Sequence, residues 1–172
     1  MLTTPRLNVV VPLPDLSQAM ATYVERNRQH HASAAPARAP EFYTEQFWKG
    51  EIPRKQERAR AEQSFEFILL DKNADEKSPS ILGDVSLTNI VRGNFLACYL
   101  GYDLDVEAVG RGLMTEALHA VIDFAFLELK LHRIMANYVQ TNARSYLLLD
   151  GVWQDHVLTS LVTRQAYAED AV

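Results

Sequence analysis

The chain has 172 residues, of which 48% are hydrophobic and 23% are charged, and its formal net charge at pH 7 is −5. This composition is typical of a globular protein, and the length favours a single domain over residues 1–172. Direct nucleic-acid binding is not expected, because proteins that neutralise phosphates need clustered Lys and Arg. No apolar run reaches the roughly 18 residues of a membrane span, so we expect no membrane association. The single cysteine, Cys98, fits a reducing cytoplasm.

The first forty residues predict a strand, a helix and a loop. Residues 7–11 form a β-branched run that is closed by prolines, which indicates a strand. Asp15 is placed to cap a helix over residues 16–28. The segment 32–40 is rich in proline and small residues and therefore predicts a surface loop.

The middle of the chain predicts a helical arm followed by an antiparallel sheet. Residues 41–63 mix aromatic and charged side chains, which is typical of an amphipathic helix, and Pro53 is expected to interrupt it. Three strands are predicted over residues 65–70, 81–90 and 94–100. Because the connections between them are short, the three strands should form an antiparallel meander.

The second half predicts a helix packed on the sheet and then more strands. Residues 115–129 are apolar almost all round, as expected of a buried helix, and residues 133–139 read as the next strand. Asp150-Gly151 lies between the apolar runs 146–149 and 152–162, and this dipeptide is a strong hairpin signal. Strands followed by strand, helix and strand indicate the α+β class.

A glycine-rich turn, Gly110-Arg111-Gly112, stands between the predicted strand at residues 98–104 and the apolar helix. Glycines let the backbone approach a ligand closely, and a helix start directs free N–H groups and partial positive charge at an anion. The turn therefore predicts a pyrophosphate site, to which Arg111 could add a charge-assisted contact. The alternative is a connection whose glycines serve backbone geometry alone. The spacing matches neither a dinucleotide-binding fingerprint nor a P-loop.

Four motifs occur in order at and around this turn. They are Tyr99-Leu-Gly-Tyr102, Gly110-Arg-Gly-Leu-Met-Thr-Glu-Ala117, Leu131-His-Arg-Ile-Met-Ala-Asn-Tyr138 and Asn142-Ala-Arg-Ser145. The set resembles the RimJ- and RimL-like branch, the ribosomal-protein alanine N-acetyltransferases, of the Gcn-five-related N-acetyltransferase (GNAT) superfamily. The resemblance runs from about residue 6 to residue 161. Glu107 departs from the Gln or Arg that opens the family's pyrophosphate loop, Gln/Arg-x-x-Gly-x-Gly/Ala.

The resemblance implies a GNAT fold, in which a mixed central sheet is flanked by helices. An N-terminal antiparallel meander would lead into a splayed parallel pair of strands near Leu100 and Ile134, where acetyl-CoA binds as co-substrate. A backbone N–H near Leu100 is the oxyanion donor that the resemblance implies. The cofactor-binding residues carried over from the family are Leu100, Tyr102, Gly110, Arg111, Gly112, Leu113, Met114, Thr115, Asn142 and Ser145.

Two of these residues are also the catalytic candidates. Ser145 could protonate the leaving thiolate, and Asn142 could bond the pantetheine. Taken alone, a serine and an asparagine serve as readily in a helix cap or an Asx-turn. Candidates for the base that deprotonates the amine are Asp84, Asp103 and Glu116, each of which could instead be a solvated or capping carboxylate.

Cys98 and the histidines are not expected to take part in the chemistry. Cys98 lies in mid-strand and is predicted to be a small buried hydrophobe. The five histidines lack the spacing of zinc ligands, so no metal is expected.

The sequence departs from the family after Ser145, where relatives continue with a helix and a strand. Here Tyr146 follows directly, so a segment of about 20 residues is missing. Either the protein lacks this segment or the given sequence omits it. The second alternative is favoured, because loss of a core helix would expose a large apolar face. An intact mass near 19.5 kDa would contradict it.

We therefore predict an acetyl-CoA-dependent N-acetyltransferase of the cytoplasm, acting as a monomer or a homodimer. Its expected partner is the N-terminal α-amine of a protein, and the resemblance implies a ribosomal protein with N-terminal alanine. One alternative is a GNAT enzyme that acts on a small amine such as a polyamine or an antibiotic. Another is a non-catalytic acyl-CoA-binding module, which would bind the co-substrate without turnover.

Overall fold

The computed structural model describes residues 1–32, 37–75, 79–139, 147–149, 152–154 and 156–162. The described strands are β1 Leu2–Thr3, β2 Leu7–Val10, β3 Phe65–Asp71, β4 Ile81–Val91, β5 Ala97–Leu104, β6 Arg133–Val139, β7 Leu147–Leu149, β8 Val152–Gln154 and β9 His156–Val162. Seven of them form one sheet in the order β1-β2-β3-β4-β5-β6-β9. All neighbours are antiparallel except β5 and β6, which are parallel. The predicted α+β class and the meander β3-β4-β5 are confirmed.

Two strand predictions are corrected in detail. β5 begins at Ala97 rather than residue 94, because Gly93 and Leu96 both have positive φ and extend the turn. The short strand β1 was not predicted. The C-terminal run divides into β8 and β9, and β7 pairs with β8 as the predicted hairpin requires. Asp150 and Gly151, and the predicted gap after Ser145, lie outside the described residues.

The helices are α1 Ser17–Arg26, α2 Arg28–Ala32, α3 Glu45–Arg60 and α4 Leu113–Asp123, and a π-helical turn Phe124–Glu128 extends α4. The prediction that Asp15 caps α1 is wrong. Asp15 lies inside a 3-10 turn, Pro14–Leu16, and the residue before α1 is Leu16, which makes no side-chain cap. Within the part of the chain that the structure describes, no helix is long and apolar enough to cross a membrane.

Helix α3 runs through Pro53 without the predicted interruption. Proline lacks a backbone N–H and costs about 3 kcal/mol in a helix interior, so the helix needs support on both sides. Ile52 is fully buried immediately before the proline. In the following turns, Lys55 and Arg58 both form ion pairs with Glu66 on β3. These contacts fix the second half of α3 against the sheet.

The sheet separates two apolar cores. On one face, buried residues of β2 to β6, among them Leu69 and Val85, pack against α4, where Ala117 is fully buried. On the other face, α1 and α3 pack against Ile68 and Ile81. Side chains alternate along a strand, so neighbouring residues of β3 and β4, such as Ile68 and Leu69, belong to different cores.

Asp105 connects the end of α1 with the end of β5. It is 2% exposed, and its carboxylate accepts hydrogen bonds from Arg26 Nε at 2.8 Å, Asn27 Nδ2 at 2.9 Å and the Glu107 N–H at 2.9 Å. Burial raises the pKa of Asp105, but the hydrogen bonds from Asn27, Glu107 and Arg26 outweigh burial and lower it. The carboxylate is therefore ionised and holds two elements together.

Replacing Asp105 with asparagine should lower the free energy of unfolding by about 2 kcal/mol, because hydrogen bonds to an ionised group contribute roughly 1.5–3 kcal/mol. A lowered folded-state pKa stabilises fully above the ordinary aspartate pKa of about 4, and this stabilisation is lost as the pH falls further. In urea denaturation, the difference between wild type and Asp105→Asn should therefore stay constant from about pH 7 down to about pH 4 and shrink at lower pH. Asp15→Asn, which removes an exposed carboxylate, is the control. A difference that stays constant with pH would contradict the assignment.

Candidate active site

The glycine-rich turn leads from β5 into α4 and uses left-handed backbone at both glycines. Gly110 has φ +77° and Gly112 has φ +72°, a region in which other residues are strained. Gly112 directly precedes α4. Glu107 lies in a 3-10 turn, Val106–Ala108, where it is exposed. The turn is thus built for a sharp change of chain direction at the surface.

The start of α4 offers donors to an anion. The first N–H groups of a helix have no carbonyl partner within it, and the helix dipole adds partial positive charge there. Arg111 and Thr115 are exposed beside these donors. Leu113 is 2% exposed and packs into the core, so it could contact a ligand only through its backbone. The structure brings the predicted phosphate-binding residues together, and their contact with a cofactor remains a prediction.

The parallel strands β5 and β6 separate beside this turn. They pair from Ala97↔Arg133 to Leu100↔Ala136, and beyond this point both strands continue without pairing to each other. Leu100 is the last paired residue, and Tyr102 is 53% exposed just beyond the point of separation. The predicted splay is present. The candidates Asn142 and Ser145 lie outside the described residues.

Arg6, near the N-terminus, and Glu116 on α4 together hold the glycine-rich turn in place. Glu116 accepts hydrogen bonds from the Arg6 N–H at 2.8 Å, Arg6 Nε at 2.6 Å and the Thr4 hydroxyl at 2.5 Å. Arg6 Nη1 also donates to the Arg111 carbonyl at 2.9 Å. One guanidinium therefore holds both the first turn of α4 and the glycine-rich turn. Sequence reasoning missed Arg6 and Thr4, because no local signal links residues so far apart.

Glu116 is poorly suited to the role of base for which it was a candidate. Burial raises its pKa, but the hydrogen bonds from Thr4 and Arg6 and the charge of Arg6 outweigh burial and lower it. A base whose pKa is far below the working pH is inefficient. Cys98 is fully buried, as predicted, and burial raises the pKa of its thiol to about 11. Among the described residues, no group of three His, Cys, Asp or Glu side chains could hold a metal ion.

A cavity of about 410 Å³ lies on the sheet face opposite α4, a volume within the usual range of ligand pockets. Strands β3, β4 and β5 form its floor, and α1, α2 and the residues around Phe42 and Trp48 form its walls. Asp84 and Asp103, two of the base candidates, face each other in register on the floor. Their pairing was not predicted, because residues nineteen apart become neighbours only in the antiparallel sheet.

The Asp84 carboxyl interacts with its neighbour Asp103. Burial raises the pKa of Asp84 well above its ordinary value, the nearby charge of Asp103 and a hydrogen bond with it add to this, and Lys55 opposes it. Asp103 also accepts a hydrogen bond from the Tyr23 hydroxyl. Burial, and then the charge of Asp103, raise the pKa of Tyr23 far above its ordinary value, so Tyr23 remains a donor. His31 Nε2 lies 3.8 Å from Asp103 Oδ1, so His31 also belongs to this cluster of polar side chains.

The splayed sheet and the glycine-rich turn at a helix start are the arrangement that the resemblance to the acyltransferases implies. Residues 12–150 match the sequence model of the acetyltransferase (GNAT) domain. The chain belongs to the GNAT acetyltransferase family.

Within this family, the chain is similar to several individual acetyltransferases. The chain is 37% identical to the [ribosomal protein uS5]-alanine N-acetyltransferase of Escherichia coli (strain K12), over 94% of this chain and 90% of the relative. Its structure resembles the ribosomal-protein-S5-alanine acetyltransferase from Vibrio fischeri with a TM-score of 0.84 and 34% identity, over 91% of this chain and 92% of that one. At 18% identity, Mycobacterium smegmatis RimJ in complex with CoA-disulfide shares the fold with a TM-score of 0.78, over 92% and 86% of the two chains.

Bulk and negative charge in the glycine-rich turn should abolish binding of acetyl-CoA. In a calorimetric titration, the wild type should bind saturably, and the Gly110→Glu, Gly112→Glu double variant should not bind. Gly93→Glu is the matched control, because Gly93 also has positive φ, +70°, and lies exposed in the turn before β5. It introduces the same strain away from the site. Equal loss of binding in both variants would point to misfolding instead of a phosphate site.

Removing the charge of Glu116 should weaken the binding of acetyl-CoA and leave proton transfer unchanged. Glu116→Gln should raise the KM for acetyl-CoA by about tenfold, because the turn loses charge-assisted hydrogen bonds. The pH dependence of kcat should stay that of the wild type. A fall in kcat of about 10²–10⁴, with loss of one limb of the pH profile, would restore Glu116 as the base.

Proposed function

We propose that this acetyltransferase moves acetyl from acetyl-CoA to the N-terminal α-amine of a ribosomal protein, the alanine of uS5 being the foremost acceptor. The observation that carries the proposal is the 37% identity to a uS5-alanine N-acetyltransferase over 94% of this chain. The match also covers 90% of the length of that relative.

Each of the two substrates would approach β5 from a different face of the sheet. The pyrophosphate of acetyl-CoA would bind at residues 110–115, and its thioester arm would enter the splay between β5 and β6 beside Leu100 and Tyr102. The acceptor would enter the cavity on the other face, where Asp103 is the β5 residue on the floor. Asp103 on the cavity floor directly follows Tyr102 beside the splay, so the amine and the thioester would meet at this part of β5.

The reaction needs a neutral amine and a proton for the leaving thiolate. The amine nitrogen forms a bond to the acetyl carbonyl carbon, and the bond from this carbon to sulfur breaks. An α-amine with a pKa of about 8 is partly neutral at pH 7, and the Asp84–Asp103 pair would take up the remaining proton. We assign proton delivery to the thiolate to Ser145, and the hydrogen bond to the pantetheine to Asn142.

The test is acetylation of a synthetic peptide with the N-terminal sequence of uS5 from the same organism. Mass spectrometry should show one acetyl group added at the α-amine, and a peptide blocked at this amine should stay unmodified. A panel of polyamines and aminoglycosides is run in parallel. Turnover of a small amine without turnover of the peptide would overturn the proposal, and binding of acetyl-CoA without any turnover would indicate a binding module.

The same assay tests Ser145. Ser145→Ala should lower kcat by about 10²-fold or more while the KM for acetyl-CoA changes little, since general acids contribute about 10²–10⁴ to the rate. Ser160→Ala is the control, because Ser160 is exposed on β9. An unchanged kcat in Ser145→Ala would remove Ser145 from the mechanism.

A further inference from the structure

The cavity carries opposite charges at its floor and at its rim. The floor has the facing carboxylates of Asp84 and Asp103. The rim has the guanidinium groups of Arg28 and Arg38, both exposed and both lining the cavity. An acceptor that fills the cavity therefore has the negative charge of the floor at its inner end and the positive charge of the rim at its outer end.

The floor carboxylates lack a permanent cation. Glu66, the third acid of the cavity, is neutralised by ion pairs with Lys55 and Arg58. Across the described residues, neither Asp84 nor Asp103 has a Lys or Arg within ion-pair distance, and the nearest basic group to Asp103 is His31 at 3.8 Å. An ammonium group on the acceptor would supply the missing positive charge.

The rim arginines are held in place by aromatic rings. The guanidinium carbon of Arg28 lies 4.2 Å from the centre of the Tyr43 ring, and that of Arg38 lies 5.1 Å from the centre of the Phe42 ring. A guanidinium stacked on a ring keeps its in-plane N–H donors available for a carboxylate. Arg28 is also 3.5 Å from Glu25, but both side chains are at least 50% exposed, so this pair is weak.

We propose that the cavity selects its acceptor by charge at two depths. The carboxylates of Asp84 and Asp103 receive the N-terminal ammonium, and Arg28 and Arg38 receive an acidic side chain at the second to fourth residue of the acceptor. This inference rests on the proposed function, because it takes the acceptor to be a protein N-terminus. It also disfavours polyamines, whose second positive charge would lie against the arginines.

The first test compares peptides that begin with alanine and carry either glutamate or glutamine at one of positions two to four. At the best position, the kcat/KM of the wild type should be about tenfold to a hundredfold higher for the glutamate peptide than for the glutamine peptide, as expected of charge-assisted hydrogen bonds. The Arg28→Gln, Arg38→Gln double variant should act on both peptides at the rate that the wild type shows with the glutamine peptide. Its KM for acetyl-CoA should not change.

Arg54→Gln is the matched control for the rim. Arg54 is 75% exposed on α3 and does not line the cavity, so this variant should keep the preference for glutamate. A charge reversal gives an independent readout. The Arg28→Glu, Arg38→Glu variant should prefer a lysine peptide over the glutamate peptide, a gain that loss of folding cannot produce.

The second test addresses the floor. In the presence of CoA, the wild type should bind the free-amine peptide at least tenfold more tightly than the same peptide acetylated at its N-terminus. Asp103→Asn should reduce this ratio toward one, and Asp84→Asn serves the same purpose if the first variant does not fold.

The outcomes separate this inference from the proposed function. Acetylation of the glutamate and glutamine peptides at equal rates would overturn the charge selection and leave the proposed function intact. A preference that persists in the double variant would overturn the role of the arginines, and an unchanged binding ratio in both floor variants would overturn that of the carboxylates. Acetylation of small amines with no peptide acetylated would overturn both proposals.

Discussion

The buried carboxylate of Asp105 is the constraint on which both halves of the site depend. It lies where β5 ends, and it binds Arg26 and Asn27 at the end of α1. Helix α1 forms a wall of the cavity, whereas the chain after Asp105 leads within a few residues to Gly110. A single ionised group, 2% exposed, therefore links the wall of the cavity to the chain that leads into the glycine-rich turn. Its side chain contacts neither substrate in the proposed arrangement.

Strand β5 directs side chains to both faces of the sheet. Because side chains alternate, Leu100 and Tyr102 belong to the face of α4, whereas Asp103 belongs to the face of the cavity. The loss of pairing with β6 after Leu100 leaves the backbone of β5 accessible from its edge. A strand with one partner instead of two can be approached by a ligand that satisfies its free backbone groups.

Local signals were sufficient for most elements and insufficient for the contacts between them. The meander, α4 and the glycine-rich turn follow from periodicity and from the backbone freedom of glycine, which act over a few residues. The continuation of α3 through Pro53 could not be foreseen, since the burial of Ile52 and the ion pairs with Glu66 depend on packing against the sheet. Asp15 has a side chain suited to an N-cap, but it lies inside a 3-10 turn and not at the residue before α1.

The sequence by itself determined the class of fold, the order of the strands in the meander and the position of the glycine-rich turn. These features depend on residue types at short and regular spacing. Only the tertiary structure decided that Glu116 serves Arg6 instead of a substrate, and that Asp84 lies opposite Asp103. The reason is physical: the pKa and availability of a carboxylate depend on charges and donors within a few ångströms, and folding brings these from distant parts of the chain.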